Sequence, residues 1–200
     1  MRQIWKTLAL QRWDDHRYYH HSRINQSLHL LSACSFVFAY ALMFTDPASA
    51  ALVGWLVGMV SRQSGHFFFE PRGYDHVNRA THAHKEEIKI GYNLRRKVVL
   101  MALWLVLPAL LAADRTLFGL IEPAPGMAGY WHDLGLLWLS LGIGGLLFRV
   151  VQLAFTQGLL TGLVWALKIL TDPFHDIYLY HRAPLALLRG ELIDPMPHVH

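Results

Sequence analysis

Residues 28–44 read LHLLSACSFVFAYALMF and residues 48–60 read ASAALVGWLVGMV, joined through the Thr-Asp-Pro-Ala-Ser turn at 45–49. Seventeen residues of helix rise about 26 Å, close to the thickness of one hydrocarbon core. Asp46-Pro47 stops the first run, so the two stretches form a tight helical hairpin, the second extended by residues 61–65 or tilted. Outward from this hairpin, residues 98–113 form a third apolar run directly after Arg95-Arg96-Lys97. A fourth spans 134–148 and meets Arg149 and Gln152. Residues 153–170 are again apolar but carry Gln157, Thr161 and Lys168. They read as a fifth span, a continuation of the fourth, or a helix lying in the interface. The expected fold is all-α: a single-domain integral membrane helical bundle over residues 1–200, with about four transmembrane helices.

Composition agrees. Hydrophobic residues make up 54% of the 200 residues and charged residues 16%, against about 25% charged in soluble domains. That is too little charge to cover a water-soluble surface or to keep a chain disordered. Lys and Arg orient the bundle, because they favour cytoplasmic loops. Five fall in residues 1–27 and eight in 61–97, whereas the 114–133 loop has only Arg115. Lys168, Arg182 and Arg189 draw the tail to the same side. Segments 1–27, 61–97 and 171–200 are therefore expected to face the cytoplasm, with both termini inside. The membrane would be the inner one in a bacterium or the endoplasmic reticulum in a eukaryote. Residues 1–27 are polar and do not read as a cleavable signal peptide. Basic residues punctuate apolar segments without interleaved stacking aromatics, so nucleic acid is not the expected partner. The seven tryptophans read as interfacial belt or packing residues.

The chain holds thirteen histidines and one cysteine, Cys34, which excludes an internal disulfide and any Cys-based zinc ribbon. Ten of the histidines, from three separate segments, map to the cytoplasmic face; His132 lies opposite, and His198 and His200 belong to the tail. A metal site explains that gathering better than the general tolerance of imidazole for interfaces. His66-Phe-Phe-Phe-Glu70 places a nitrogen and a carboxylate four residues apart, on one helical face. Such a pair suits Fe(II), Mn(II) or Zn(II), and two histidines with one carboxylate are the usual face of oxygen-activating iron. An interfacial ion pair to a nearby Arg is the plainer alternative.

A second cluster is His16-Arg-Tyr-Tyr-His20-His21, followed by Asn25 and His29. On a straight helix His21 and His29 would stand about 12 Å apart. Either the chain breaks near Ser22-Arg23, or two metals are held, or one histidine only orients a ligand. His29 lies just inside the apolar run, where ionisable side chains usually have a partner. His82-Ala-His84, with His76 and Asn78 upstream, fits an extended loop folding over a site, or an exposed loop. Asp172-Pro-Phe-His175-Asp176 and His181 are less specific, and Asp172-Pro173 reads as a helix end. No phosphate loop, nucleophile elbow or Cys-x-x-Cys is present.

His20-His21-Ser-Arg-Ile-Asn25-Gln-Ser-Leu-His29 at the mouth of the first span, then Gly65-His66-Phe-Phe-Phe-Glu70, resembles the 2-hydroxy fatty acid dioxygenase family. The resemblance covers roughly residues 16–75, and residues 114–200 look longer and different. It implies a compact bundle of membrane helices and Fe(II)-dependent oxidation of a long-chain 2-hydroxy fatty acid by O₂. The product would be the acid one carbon shorter, a step of fatty acid alpha-oxidation. Carried over, it implies roles for His20, His21, His29, His66 and Glu70; His82 and His84 join the candidate metal ligands from the residue reading alone. On the residue reading, Arg17, Arg23, Arg72 or Arg79 could pair with a carboxylate at the membrane surface. The competing expectations are a di-iron membrane lipid hydroxylase or desaturase, and a non-enzymatic membrane scaffold or metal- or haem-binding protein.

Overall fold

The structure is a computed structural model and describes residues 2–70, 72–76, 78–91 and 94–195. Helix α1 (Arg2–Tyr19) leads through a short joint into α2 (Arg23–Leu42). The Ser22 hydroxyl caps α2 by accepting from the Asn25 N–H, so the break falls at residues 20–22. After a turn, Asp46 Oδ1 accepts from the Ser49 N–H at 3.0 Å, and Pro47 occupies the first helical turn of α3 (Pro47–Val53). Helical structure then continues through a π-helical turn, Gly54–Met59, into α4 (Val60–Ser64) and a second π-helical turn, Gly65–Phe69. Residues 47–69 thus form one rod, which packs back along α2.

Helices α5 (His82–Ile88), α6 (Leu94–Ala113), α7 (Gly126–Gln157), α8 (Leu159–Tyr180) and α9 (Ala183–Leu188) complete the fold. No strand is present among the described residues, only isolated bridges such as Ser22 with Ile193. Helix α8 packs on α7, α2 and α1. Two helical stretches, Arg95–Ala113 and Gly126–Gln157, are long and apolar enough to cross a membrane, each with a mean hydropathy of 1.9. Their outer faces expose Leu103, Leu105, Leu147 and Phe155.

The main apolar cluster is built on three indoles. Trp55 stacks on Trp104 at 6.0 Å between centroids, and Trp104 meets Trp138 at 5.3 Å. Trp55 Nε1 donates to the Trp138 carbonyl and Trp138 Nε1 to the Trp104 carbonyl. Leu111 and Leu134 are fully buried beside them. This cluster pins the 47–69 rod to α6 and α7.

Three local expectations change. The 153–170 run is not one element: residues 153–157 end α7, Gly158 turns the chain with φ +95°, and residues 159–170 open α8. A left-handed φ is one that glycine adopts without steric cost, so a single residue hides the break inside an apolar stretch. Asp172-Pro173 is not a helix end either, since α8 runs on to Tyr180. Side-chain contacts brace the helix on either side of the proline: Tyr40 Oη donates to the Leu170 carbonyl, and Asp172 takes Lys168 at 2.5 Å and Arg12 at 3.2 Å. Finally, His82 and His84 lie in the first turn of α5, where Thr81 accepts from the His84 N–H, and not on an extended loop.

Candidate metal centre

Three histidines from three different elements converge. His20 comes from the joint between α1 and α2, His29 from the second turn of α2, and His66 from the second π-helical turn. Ring centroids are 4.1 Å apart for His20 and His29, 4.9 Å for His29 and His66, and 5.3 Å for His20 and His66. One ring nitrogen from each lies within 4.8 Å of the other two. Metal–nitrogen bonds of about 2.0–2.1 Å put two donors at most about 4.2 Å apart, so a bound ion would draw the rings slightly inward.

The sequence around each histidine explains its aim. A continuous helix would carry His20 past the site; the break capped by Ser22 turns it in. Gln26 Nε2 holds the His20 carbonyl at 2.8 Å and reaches Asp194 Oδ2 at 2.8 Å. The segment 192–194 is laced to the same joint: Arg23 N–H donates to the Leu192 carbonyl, Asp194 N–H to the His21 carbonyl, and the Arg23 guanidinium pairs with Asp194. Gly65 has no side chain because Asn25 fills that space; a Cβ there would strike Asn25 Oδ1 and touch the His29 ring. The Asn25 amide is fixed in turn by donation to the Tyr19 carbonyl at 2.9 Å.

Each ring has an oxygen on its far side. His66 Nδ1 meets Glu70 Oε2 at 2.6 Å, and His20 Nδ1 meets Tyr180 Oη at 2.7 Å. His29 Nδ1 lies 3.6 Å from Asp176 Oδ2, itself held by Arg62 at 3.0 Å. Outer oxygens of this kind fix the tautomer and orientation of metal-binding imidazoles. The inner nitrogens of His20 and His29, both Nε2, are buried and make no hydrogen bond, and His29 Nδ1 makes none at its distance from Asp176. Burial, with the neighbouring His29, holds the His20 ring well below the usual histidine range, so it is a neutral donor at neutral pH. Burial also pushes the Glu70 carboxyl up, against the pull of Lys89 and Lys97. Buried nitrogen lone pairs facing one another without donors are what a cation would satisfy, so the residues present fit a metal ion.

Of the sequence candidates, His20, His29 and His66 come together and Glu70 stands behind His66 rather than among the inner nitrogens. His21 turns away, its Nε2 on the Arg17 carbonyl and 3.6 Å from Asp75. His84 is exposed and His82 half-buried on α5; neither belongs to the histidine group. His76 is exposed beside Tyr74, and His181 Nδ1 meets the Tyr178 carbonyl. His198 and His200 lie outside the described residues. The proposed arginine anchors are committed elsewhere: Arg17 to Asp14, Arg23 to Asp194 and Arg72 to the Phe67 carbonyl, while Arg79 is exposed. Sequence reasoning missed Tyr180 altogether. It is buried under His16 and His20, about 160 residues from either, and no local pattern signals that pairing.

Compared against protein-family models, curated proteins and solved structures, the chain matches none.

Proposed function

We propose that this protein is an Fe(II)-dependent membrane dioxygenase that shortens long-chain 2-hydroxy fatty acids by one carbon. The observation that carries the reading is the trio of inward nitrogens on His20, His29 and His66, set on the same two motifs that resemble the 2-hydroxy fatty acid dioxygenase family. Imidazole suits zinc, copper, iron and nickel alike; the choice of iron follows the resemblance. Bound there, the ion would supply the redox chemistry toward O₂ and the Lewis acidity toward the hydroxy acid. One O₂ balances the conversion with the shortened acid, carbon dioxide and water as products.

The chain's own groups do the rest. Glu70 accepts the His66 Nδ1–H and strengthens that ring as a donor. With His20 Nε2 turned to the ion, its Nδ1–H donates to the Tyr180 hydroxyl, which donates on to His16 Nδ1. The Arg62–Asp176 pair sets the depth of His29. His66 also forms part of the wall of a large apolar cavity, giving a greasy substrate an approach to the trio. A single trio among the described residues favours one ion over the larger histidine set of a di-iron enzyme.

The proposal includes a four-span bundle with both termini cytoplasmic, in a bacterial inner membrane or the endoplasmic reticulum. Supporting it, α2 is about 30 Å long at 1.5 Å per residue, and α2 and the rod packed along it expose Leu31, Phe38, Leu56 and Val60 outward. Detergent-purified protein given Fe(II), O₂ and a long-chain 2-hydroxy acid should yield the acid one carbon shorter by mass spectrometry, and a chelator should stop it. Unchanged acid recovered from iron-loaded protein would sink the reading.

A further inference from the structure

A cavity of about 660 Å³ runs beside the 47–69 rod, well within the roughly 300–1,000 Å³ of small-molecule sites. Ala50, Gly54, Trp55, Met59 and Gln63 line it from the rod, and His66 stands at one end. From residue 50 to residue 66 the rod makes about four helical turns. Leu100, Trp138, Leu146 and Trp165 close it from the other helices. The space is long, and most of its length is apolar.

Four cations reach its wall: Arg62, Lys89, Lys97 and Lys168. Three already have acids. Arg62 pairs with Asp176, Lys168 with Asp15 and Asp172, and Lys89 with Glu86 at 3.5 Å and Glu70 at 3.8 Å. Lys97, in the first turn of α6, is the exception: it is only 9% exposed and has no ion pair or hydrogen bond among the described residues. The nearby Glu70 is engaged by His66 at 2.6 Å on one oxygen and by Lys89 on the other. Burying an ammonium with no acid in salt-bridge contact is costly, and an anion entering the cavity would offset that cost.

We propose that Lys97 holds the carboxylate of a single-chain acid whose hydrocarbon tail lies in this cavity, placing the head beside His66. A carboxylate fits better than a phosphate: a single ammonium with no ion pair among the described residues matches one negative charge and not two. Lys97 thereby takes the anchoring role that the sequence offered to the surface arginines. The inference deepens the fatty-acid part of the proposed function and does not use the metal.

The test is binding to metal-stripped, full-length protein in lipid nanodiscs, comparing radiolabelled hexadecanoic acid with hexadecanol. Wild type should bind the acid at least about tenfold more tightly than the alcohol. Lys97→Met and Lys97→Gln should lose that preference while binding the alcohol within about twofold of wild type, and Lys97→Arg should keep it. Leu146→Trp, which fills the cavity, should weaken both ligands. Equal binding of acid and alcohol by wild type, retained acid preference in Lys97→Met and Lys97→Gln, or undiminished binding in Leu146→Trp would each overturn the assignment. Because no iron is present, failure of the metal reading leaves this result standing, and failure here leaves the histidine trio untouched.

Discussion

The 47–69 rod joins two interiors of opposite character. Near its start, Trp55 packs with Trp104, Trp138, Leu111 and Leu134, and only Trp104 Nε1 lacks an acceptor among those indoles. At its end, His66 meets His20, His29 and Glu70 while Gly65 lies against Asn25, and His20 Nε2, both His29 nitrogens and Asn25 Oδ1 are all buried without hydrogen-bond partners. Both regions are closely packed, but the first leaves one buried polar atom unpaired and the second several. Apolar packing stabilises by excluding water, whereas unmet buried polar groups cost stability. One end of the rod holds the bundle together; the other carries buried nitrogens that a cation would satisfy.

Removing one inner donor should break the contrast most severely. His66→Ala is expected to reduce bound iron and turnover to below about one-tenth of wild type, since outer-sphere changes alone are worth 10–100-fold. Metal analysis and the carbon-count assay check this, and retention of both would remove His66 from the site. Trp138→Ala attacks the other end. It should cost about 3–5 kcal/mol and lower the unfolding temperature by roughly 10 °C, with iron per folded chain unchanged. Loss of iron in step with stability would mean that the two ends are not independent.

A pH titration sharpens the comparison from the polar side. Burial lowers His16 to about 4 from 6.5, so the folded chain keeps this ring neutral while the unfolded chain protonates it. The contribution is fully present above pH 6.5 and drains as pH falls toward 4, by up to about 3 kcal/mol. Denaturant unfolding between those pH values should show the loss, and His16→Gln should flatten it. An equally steep profile in the variant would assign the effect to other groups. The smallest expected effect is from Glu70→Gln, which keeps the shape but weakens the acceptor behind His66. Iron affinity should fall by about 10- to 100-fold, within about 1–3 kcal/mol. An unchanged affinity in competitive chelator titrations would make Glu70 a bystander.

What the sequence disclosed followed from range. The hairpin at Asp46-Pro47 was legible because the cap and the first-turn proline act within four residues. The link between His66 and Glu70 was legible from their spacing, although the pair meets as a hydrogen bond at the end of a π-helical turn. The choice between His20 and His21 was not legible, because neighbours at a helix break point to opposite sides and only Ser22 and Gln26 decide which turns in. Gly158 was hidden because one backbone angle redirects a uniformly apolar run. Asp176 and Tyr180 reach the histidines, and Lys97 reaches the cavity wall, through packing between distant helices, which no local pattern encodes.

The lacing of residues 192–194 onto the α1–α2 joint also governs when the centre can exist. Asp194 lies 168 residues beyond Gln26, the side chain that clamps the His20 carbonyl. The two motif segments leave the ribosome early, but the joint that aims His20 gains its last fastening only after the ninth helix has emerged. On the proposed function, iron enters only chains in which residues 192–194 have folded onto the joint. In a pulse-labelled translation, nascent chains stalled before Leu192 should carry no more iron than His66→Ala, and released chains should acquire it.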